Sequence, residues 1–274
     1  MQTERKEFSL EYIEKEFDKL EKSIEAPVKI YVAGGYVMAY QELKAGTKDI
    51  DVIVETSNKA EILAKGLRAA GYRLLPNGTL TKEYQTLGAI AYENADGFRW
   101  EIFKKIVANK LALSPDMKTR SKMIWESGKL EVSILSNEDI FLMKGVTDRD
   151  RDVEDMSLLA RSGVNYDSVF KECVSQSDRT GKLWEIGLHD KCEELEEKYG
   201  VRVPITKRLQ RIAEEKMLTK RIIPVLRGGP KTEEELVQIL KEKLRRSDVK
   251  AGIKILNKQS RIRISKRGKI SLAS

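Results

Sequence analysis

Val32-Ala33-Gly34-Gly35, thirteen intervening residues, and then Asp49-Ile50-Asp51-Val52 form the stretch on which the reading of this chain turns. Val28 to Ala33 alternates like a strand and runs into the diglycine, after which Tyr36 to Leu43 reads as a helix. Asp49 to Glu55 reads as a second strand, and residues i and i+2 of a strand point to one face. Asp49 and Asp51 therefore present two carboxylates together, while Ile50 and Val52 turn toward a core. Like charges held that close repel, and a divalent cation removes the conflict. Oxygen-only ligation suits Mg²⁺ or Mn²⁺, which bind through one or two carboxylates plus substrate phosphates. A diglycine where a strand passes into a helix leaves bare backbone that a phosphate can approach. Alone, the glycines read as a tight turn and the aspartates as a solvated strand edge; at this spacing they predict phosphate handling together.

Outward from this stretch, Phe8, Tyr12, Ile13, Phe17, Leu20 and Ile24 recur at helical spacing and predict an amphipathic first helix that closes before Pro27. A helix is expected over 58–70. Further strands are expected over 87–92 and 98–103, separated by a turn over 93–97, and over 129–135. From Ser136 the pattern is helical: Ser136 and Asp139 resemble a capping box opening a helix over 139–145, with more helices around 151–162, 166–177 and 181–199. Gly200 to Pro204 reads as a boundary. Beyond it, helices over 206–226, 232–243 and 247–257 precede an alternating hairpin, Arg261 to Ser265 and Ile270 to Leu272, around a basic turn. Helix, helix, helix, hairpin is the order of a winged helix-turn-helix domain.

Composition narrows the chemistry. The chain has 274 residues, enough for two domains, with two cysteines and one histidine. Cys173 and Cys192 are too few for a disulfide scaffold and read as small packing residues, which points to a reducing, cytoplasmic setting. A histidine-ligated zinc site or a histidine-based triad is excluded with His189 as the only imidazole, which reads as incidental. Trp100, Trp125 and Trp184 read as core or interface aromatics. No apolar run approaches a membrane span, and the first residues carry no signal-peptide pattern, so no membrane partner is expected. The net charge of +8 is unevenly spread: residues 201–274 hold 21 Lys and Arg against 7 Asp and Glu, leaving 30 against 36 in residues 1–200. An acidic body with a basic tail is an electrostatic footprint for a polyanion; the alternative is a solvated, lysine-rich surface.

The apolar-Gly-Gly segment followed by Asp-apolar-Asp-apolar resembles the signature of the DNA polymerase β-type nucleotidyltransferase superfamily, met here at Gly34, Gly35, Asp49 and Asp51. The resemblance is closest to the AbiEii-like branch, which includes toxin-type nucleotidyltransferases: Thr47-Lys48-Asp49-Ile50-Asp51 matches its Thr-x-Asp-apolar-Asp core, and Lys144, Arg149, Arg151-Asp152 and Asp155 match its later helical motif. It covers residues 25 to 165. The resemblance implies an α+β fold, a mixed sheet flanked by helices, in a catalytic domain over 1–135 with a helical region over 136–200 completing the cleft; the order of elements beyond it, and not the resemblance, adds a basic winged-helix-like domain over 201–274. It implies an enzyme that takes a nucleoside triphosphate with Mg²⁺ or Mn²⁺ and transfers a nucleoside monophosphate. Asp49 and Asp51 would hold the metals with a third carboxylate, assigned to Glu101 with Glu131 as the fallback. Lys144 would neutralise triphosphate charge and count among the catalytic residues. Gly34, Gly35, Thr47, Arg149, Arg151 and Asp155 would bind the nucleotide. Lys144, Arg149, Arg151, Asp152 and Asp155 read equally as a salt-bridged helix face.

In the tail, Lys250, Lys254 and Lys258 fall along one face of the last expected helix, and Arg261, Arg263, Lys266, Arg267 and Lys269 belong to the hairpin. These eight side chains are the expected nucleic-acid contacts. The acceptor expected is RNA rather than DNA, tRNA foremost, with an antitoxin-like protein as a second partner. Two other readings stay open: a DNA-binding regulator with a nucleotide-sensing body, and transfer to a protein hydroxyl.

Overall fold

The structure is a computed structural model and describes residues 5–76, 89–107, 110–147 and 149–273. It is an α+β protein built on a mixed sheet. The chain opens with helix α1 (Leu10–Ser23), whose first turn is capped by the Ser9 side chain accepting from the Tyr12 N–H. Strand β1 (Val28–Ala33), helix α2 (Gly34–Tyr40), strand β2 (Asp49–Val54) and helix α3 (Ser57–Ala69) follow. Next come β3 (Arg73–Leu74), β4 (Ile90–Glu93) and β5 (Arg99–Lys104), then a two-stranded ribbon of β6 (Ile106–Val107) and β7 (Leu111–Ala112). Residues 87 and 88 of the strand expected over 87–92 lie outside the described residues.

Five elements have no counterpart in the sequence reading: the short strands β3, β6 and β7, helix α4 (Pro115–Arg120), and strand β8 (Lys122–Ser127), which forms a hairpin with β9 (Leu130–Ile134). Ser114 caps α4 and Pro115 takes its first position, where the missing N–H costs nothing.

The sheet order among the described strands is β3-β4-β5-β2-β1-β9-β8. β2 runs antiparallel to β1 and parallel to β5, and β1 runs parallel to β9. This arrangement puts the start of β2 beside the end of β1. It also aligns Asp51 with Ala33 on one side and with Glu101 on the other. Trp100, the residue before Glu101, is fully buried and meets the Phe17 ring of α1 edge-on at 5.8 Å. Because alternate strand residues face opposite ways, that packing fixes Glu101 on the sheet face away from α1.

Helices α5 (Asn137–Gly145), α6 (Arg151–Ser162), α7 (Tyr166–Thr180) and α8 (Trp184–Tyr199) complete the body. The Ser136 hydroxyl accepts from the Asp139 N–H at the start of α5. One continuous apolar core runs from Phe8 to Leu209, so the sheet and the helices of 136–200 form a single packed body. Cys173 and Cys192 are buried in it as free thiols. Arg120 ties α4 to α5 and α7 by contacting Asp139 at 2.5 Å and Glu172 at 2.8 Å.

Helix α9 (Thr206–Arg227) begins in this core through Leu209 and ends in a second one through Leu218, Ile222 and Leu226. The handover between the two cores therefore lies within α9 rather than at Gly200 to Pro204. The second core joins α9 to α10 (Glu233–Leu240), α11 (Arg246–Lys258) and the antiparallel hairpin β10 (Ile262–Ile264) and β11 (Ile270–Leu272). Lys231, between α9 and α10, bridges to Ile270. No helix among the described residues is long and apolar enough to cross a membrane.

Candidate active site

Gly34 opens α2 with φ +69°, a conformation open to glycine at little cost. A Cβ there would stand well inside van der Waals contact with Asp51 Oδ2, and one at Gly35 would lie 2.8 Å from Thr47 Oγ1. The diglycine is thus required by its own carboxylate and hydroxyl neighbours before any ligand is considered. Thr47 is buried, and its hydroxyl donates to the Asp49 carbonyl at 2.9 Å, which shapes the entry to β2.

Asp51 and Glu101 stand side by side on adjacent parallel strands. Glu101 is 1% exposed, and its Oε1 has no hydrogen-bond partner. Burial, and then the Asp51 and Asp49 charges, hold the Glu101 carboxyl well above its ordinary range. Burial and then Asp49 push Asp51 up to about 7, against a downward pull from Arg149, Lys144 and Arg151. Those three cations thus act on Asp51 from the helical region.

Asp49 behaves differently. Arg5, in the arm ahead of α1, donates from Nη1 to Asp49 Oδ2 at 2.9 Å and from Nη2 to the Lys48 carbonyl at 2.7 Å. The three carboxylates do not all converge on one point. Among the described residues, the one set of three ligand-type side chains with all ligand atoms within 4.8 Å of one another is His189, Asp190 and Glu193 on α8. There the imidazole lies between the two carboxylates, with Nδ1 3.1 Å from Asp190 and Nε2 3.6 Å from Glu193. Each nitrogen meets a different acid, Nδ1 within hydrogen-bond distance of Asp190 and Nε2 in a looser contact with Glu193, rather than a shared coordination point.

Glu131 lies elsewhere. It is registered with Lys29 on β1 and ion-paired to it, four residues short of Ala33. At about 3.3 Å per residue that is roughly 13 Å along the strand from the Asp51 level. Glu101 is the carboxylate that shares the site.

Lys144 is 9% exposed, with Nζ 2.8 Å from Asp152 Oδ1 and 2.6 Å from Asp155 Oδ2. Asp155 also takes Lys44 at 2.5 Å, and Arg149 Nε meets Asp152 Oδ2 at 3.0 Å. Burial would raise the Asp152 carboxyl, but Lys144 and Arg149 outweigh it and hold it below its usual value. Lys144, Arg149 and Asp155 are thus bound to acids or lysines of their own network. Arg151, at the first position of α6, is exposed.

The residues present fit a divalent cation: the donors are all oxygens, one of them buried and without a partner, and two carboxyls are pushed up by burial and then by neighbouring carboxylate charge. Asp49 is the member not yet turned to the others. Arg5 and Lys44 join the site without any motif to announce them. Neither has a local signal, since Arg5 reaches Asp49 across 44 positions of sequence.

In the tail, Lys250, Lys254, Lys258, Arg261, Arg263, Lys266, Arg267 and Lys269 are all exposed. Lys250 lies 3.6 Å from Glu233 at the start of α10, so part of its charge is answered within the protein.

Residues 9–165, more than half of the chain, match the model of a family described as nucleotidyltransferase of unknown function, DUF6036. The chain belongs to this nucleotidyltransferase family. No curated protein matches it in sequence. A solved structure of an H. pylori protein, provisionally described as a nucleotidyltransferase, aligns over 77% of this chain and 95% of its own at 15% identity and a TM-score of 0.34. That likeness is too distant to carry an argument.

Proposed function

We propose that the protein is a metal-dependent nucleotidyltransferase that moves a nucleoside monophosphate from a nucleoside triphosphate to a nucleic-acid acceptor, RNA first and tRNA foremost. The observation that carries this reading is the Asp51 and Glu101 pair, with Asp51 packed against Gly34 and Glu101 Oε1 left unpartnered. Family membership supports the reaction class. The motif Thr47 to Asp51, with Lys144, Arg149, Arg151 and Asp155, favours the AbiEii-like, toxin-type branch, in which an antitoxin-like protein would be a partner.

In this reading Asp49, Asp51 and Glu101 hold Mg²⁺ or Mn²⁺, which when bound supplies activation of the incoming hydroxyl and charge stabilisation of the leaving pyrophosphate. Gly34 and Gly35 keep the backbone low enough for the triphosphate to approach. Arg149 and Arg151 face its negative charge, and Lys144 acts through the network that places Arg149. The acceptor oxygen attacks the α-phosphorus, the bond to the bridging oxygen of the pyrophosphate breaks, and Glu101 Oε1 takes the hydroxyl proton. Support for a winged-helix tail comes from the order α9, α10, α11, hairpin and from the Lys231 to Ile270 bridge. Its basic side chains would bind acceptor phosphates.

The test is incubation with labelled nucleoside triphosphates, Mg²⁺ and total RNA. Nuclease-sensitive label that vanishes in Asp51→Ala carries the proposal. Label resisting nuclease but not protease would move the acceptor to a protein hydroxyl. One observation favours a second reading, a DNA-binding regulator with a nucleotide-sensing body: Asp49 and Lys144 are already paired within the protein. No label under Mg²⁺ or Mn²⁺, or equal label from the mutant, would put that reading ahead.

A further inference from the structure

We propose that Arg5 is a built-in competitor for the cation site at Asp49, so that a divalent ion enters by displacing the guanidinium and the N-terminal arm sets the metal affinity of the site. The inference rests on the metal-dependent reading above.

Two features put Arg5 where it is. The Phe8 N–H donates to the Thr47 carbonyl at 2.9 Å, and the Thr47 N–H donates back to the Phe8 carbonyl at 3.2 Å. The Phe8 ring packs on Tyr12 at 4.7 Å and Phe98 at 5.1 Å and is 3% exposed. The arm also lies close enough that a Cβ on Gly46 would stand 2.8 Å from the Phe8 carbonyl oxygen. The backbone three residues beyond Arg5 is therefore tied to the residues leading into β2, independently of what the Arg5 side chain does.

The guanidinium then spans two acceptors, Asp49 Oδ2 and the Lys48 carbonyl. Its charge is what a carboxylate cluster of this kind lacks. By engaging Asp49, it accounts for that residue standing apart from the Asp51 and Glu101 pair. The Arg5 to Asp49 bridge remains reachable by water, with side-chain exposures of 26% for Arg5 and 17% for Asp49, so it is weak enough to yield. A divalent ion shared by three carboxylates interacts more strongly with them than a singly charged, partly hydrated guanidinium does.

The test is titration of the full chain with Mn²⁺ alone, following free Mn²⁺ by electron paramagnetic resonance at low salt and near pH 7.5. Removing the competing charge in Arg5→Ala is expected to tighten Mn²⁺ binding by about 5- to 20-fold, with Arg5→Lys between it and wild type because an ammonium keeps the charge but not the two-acceptor span. Thermal melting without metal checks that the arm still docks through Phe8. Binding unchanged or weakened in a folded Arg5→Ala would overturn the role of Arg5 while leaving the metal site standing, provided Asp51→Ala abolishes the wild-type binding. Absence of Mn²⁺ binding in both wild type and Arg5→Ala would overturn this inference and the metal-dependent reading together.

Discussion

Glu101 is the direct cross-strand partner of Asp51, and both belong to strands whose other faces are locked in the apolar core. Neither carboxylate can swing far from the other without moving β2 or β5. Their repulsion is therefore held in the fold. Glu101→Gln removes one of the charges while keeping the shape. Nucleotidyl transfer should fall at least about 100-fold, the several kcal/mol expected of a missing metal ligand. Metal-free stability should hold or rise, because a buried, unpartnered carboxylate is gone. Parallel assays of label transfer and chemical denaturation check both.

Asp51 supplies the pH dependence. Its folded pKa, about 7, lies above the ordinary aspartate value of 3.8. A raised carboxyl contributes stability that is present below the unfolded pKa and lost as pH rises through the folded one, so the loss spans roughly pH 4 to 7. Asp51→Asn does not titrate. Without metal it should be no more stable than wild type at pH 4 and more stable by roughly 2–4 kcal/mol at pH 8. Added Mg²⁺ should raise the wild-type melting temperature more at pH 8 than at pH 5 and leave Asp51→Asn nearly unmoved. Denaturation curves across pH, with and without Mg²⁺, read this out.

Gly35→Ala places a methyl 2.8 Å from Thr47 Oγ1. The single variant should lose about 1–3 kcal/mol through overpacking. Adding Thr47→Ala removes the clashing atom and should recover part of that loss, so the two changes will be non-additive in a double-mutant cycle. Gly34→Ala has no such rescue, because its methyl meets Asp51 itself on a backbone with positive φ.

Lys144 is held by two carboxylates, Asp152 and Asp155, which its ammonium joins to each other. Lys144→Met leaves buried Asp152 without its ammonium partner and should cost about 3–5 kcal/mol of stability. Loss of transfer in this variant must therefore be read beside its melting temperature, whereas Arg151→Ala, at an exposed position, should lower transfer with the fold intact.

For the tail, Arg263, Lys266 and Arg267 are exposed on the hairpin and its turn. Replacing all three with alanine should weaken RNA binding and flatten the dependence of log K on log salt by about 0.7 for each phosphate no longer neutralised. Fluorescence anisotropy at several salt concentrations measures it; an unchanged slope removes these residues from the interface. Substitution is the better probe than deleting 201–274, since Leu209 belongs to the body's core.

The strand that carries Asp49 and Asp51 and the turn at the glycines were legible in the sequence because alternation and turns are local matters, and Glu101 was named through the family resemblance; that Asp49 would be held apart by Arg5 was not legible. The lysine and arginine motif of the helices was legible as a motif. Its internal pairing was not, because Lys144 reaching Asp152 and Asp155 depends on how α5 meets α6, and Lys44 enters from a different part of the chain. Helix α4 had a local signal of its own: Ser114-Pro115-Asp116 is a cap, a first-turn proline and a first-turn acid. β8 hid behind Met123-Ile124-Trp125, an apolar run without alternation at a bulge in its pairing. Arg5 had no signal at all, since nothing in the first residues says which loop they cross.

The sharing of α9 between both cores has a mechanical consequence. A 22-residue helix spans about 33 Å. It joins the two units as a rod, where a flexible tether would let the basic surface wander. In the proposed reading, an acceptor gripped by that surface would be presented to the acid pair at a set offset, and the helix would work as a ruler. Lengthening it by one turn would change which nucleotide of a bound strand arrives at the site.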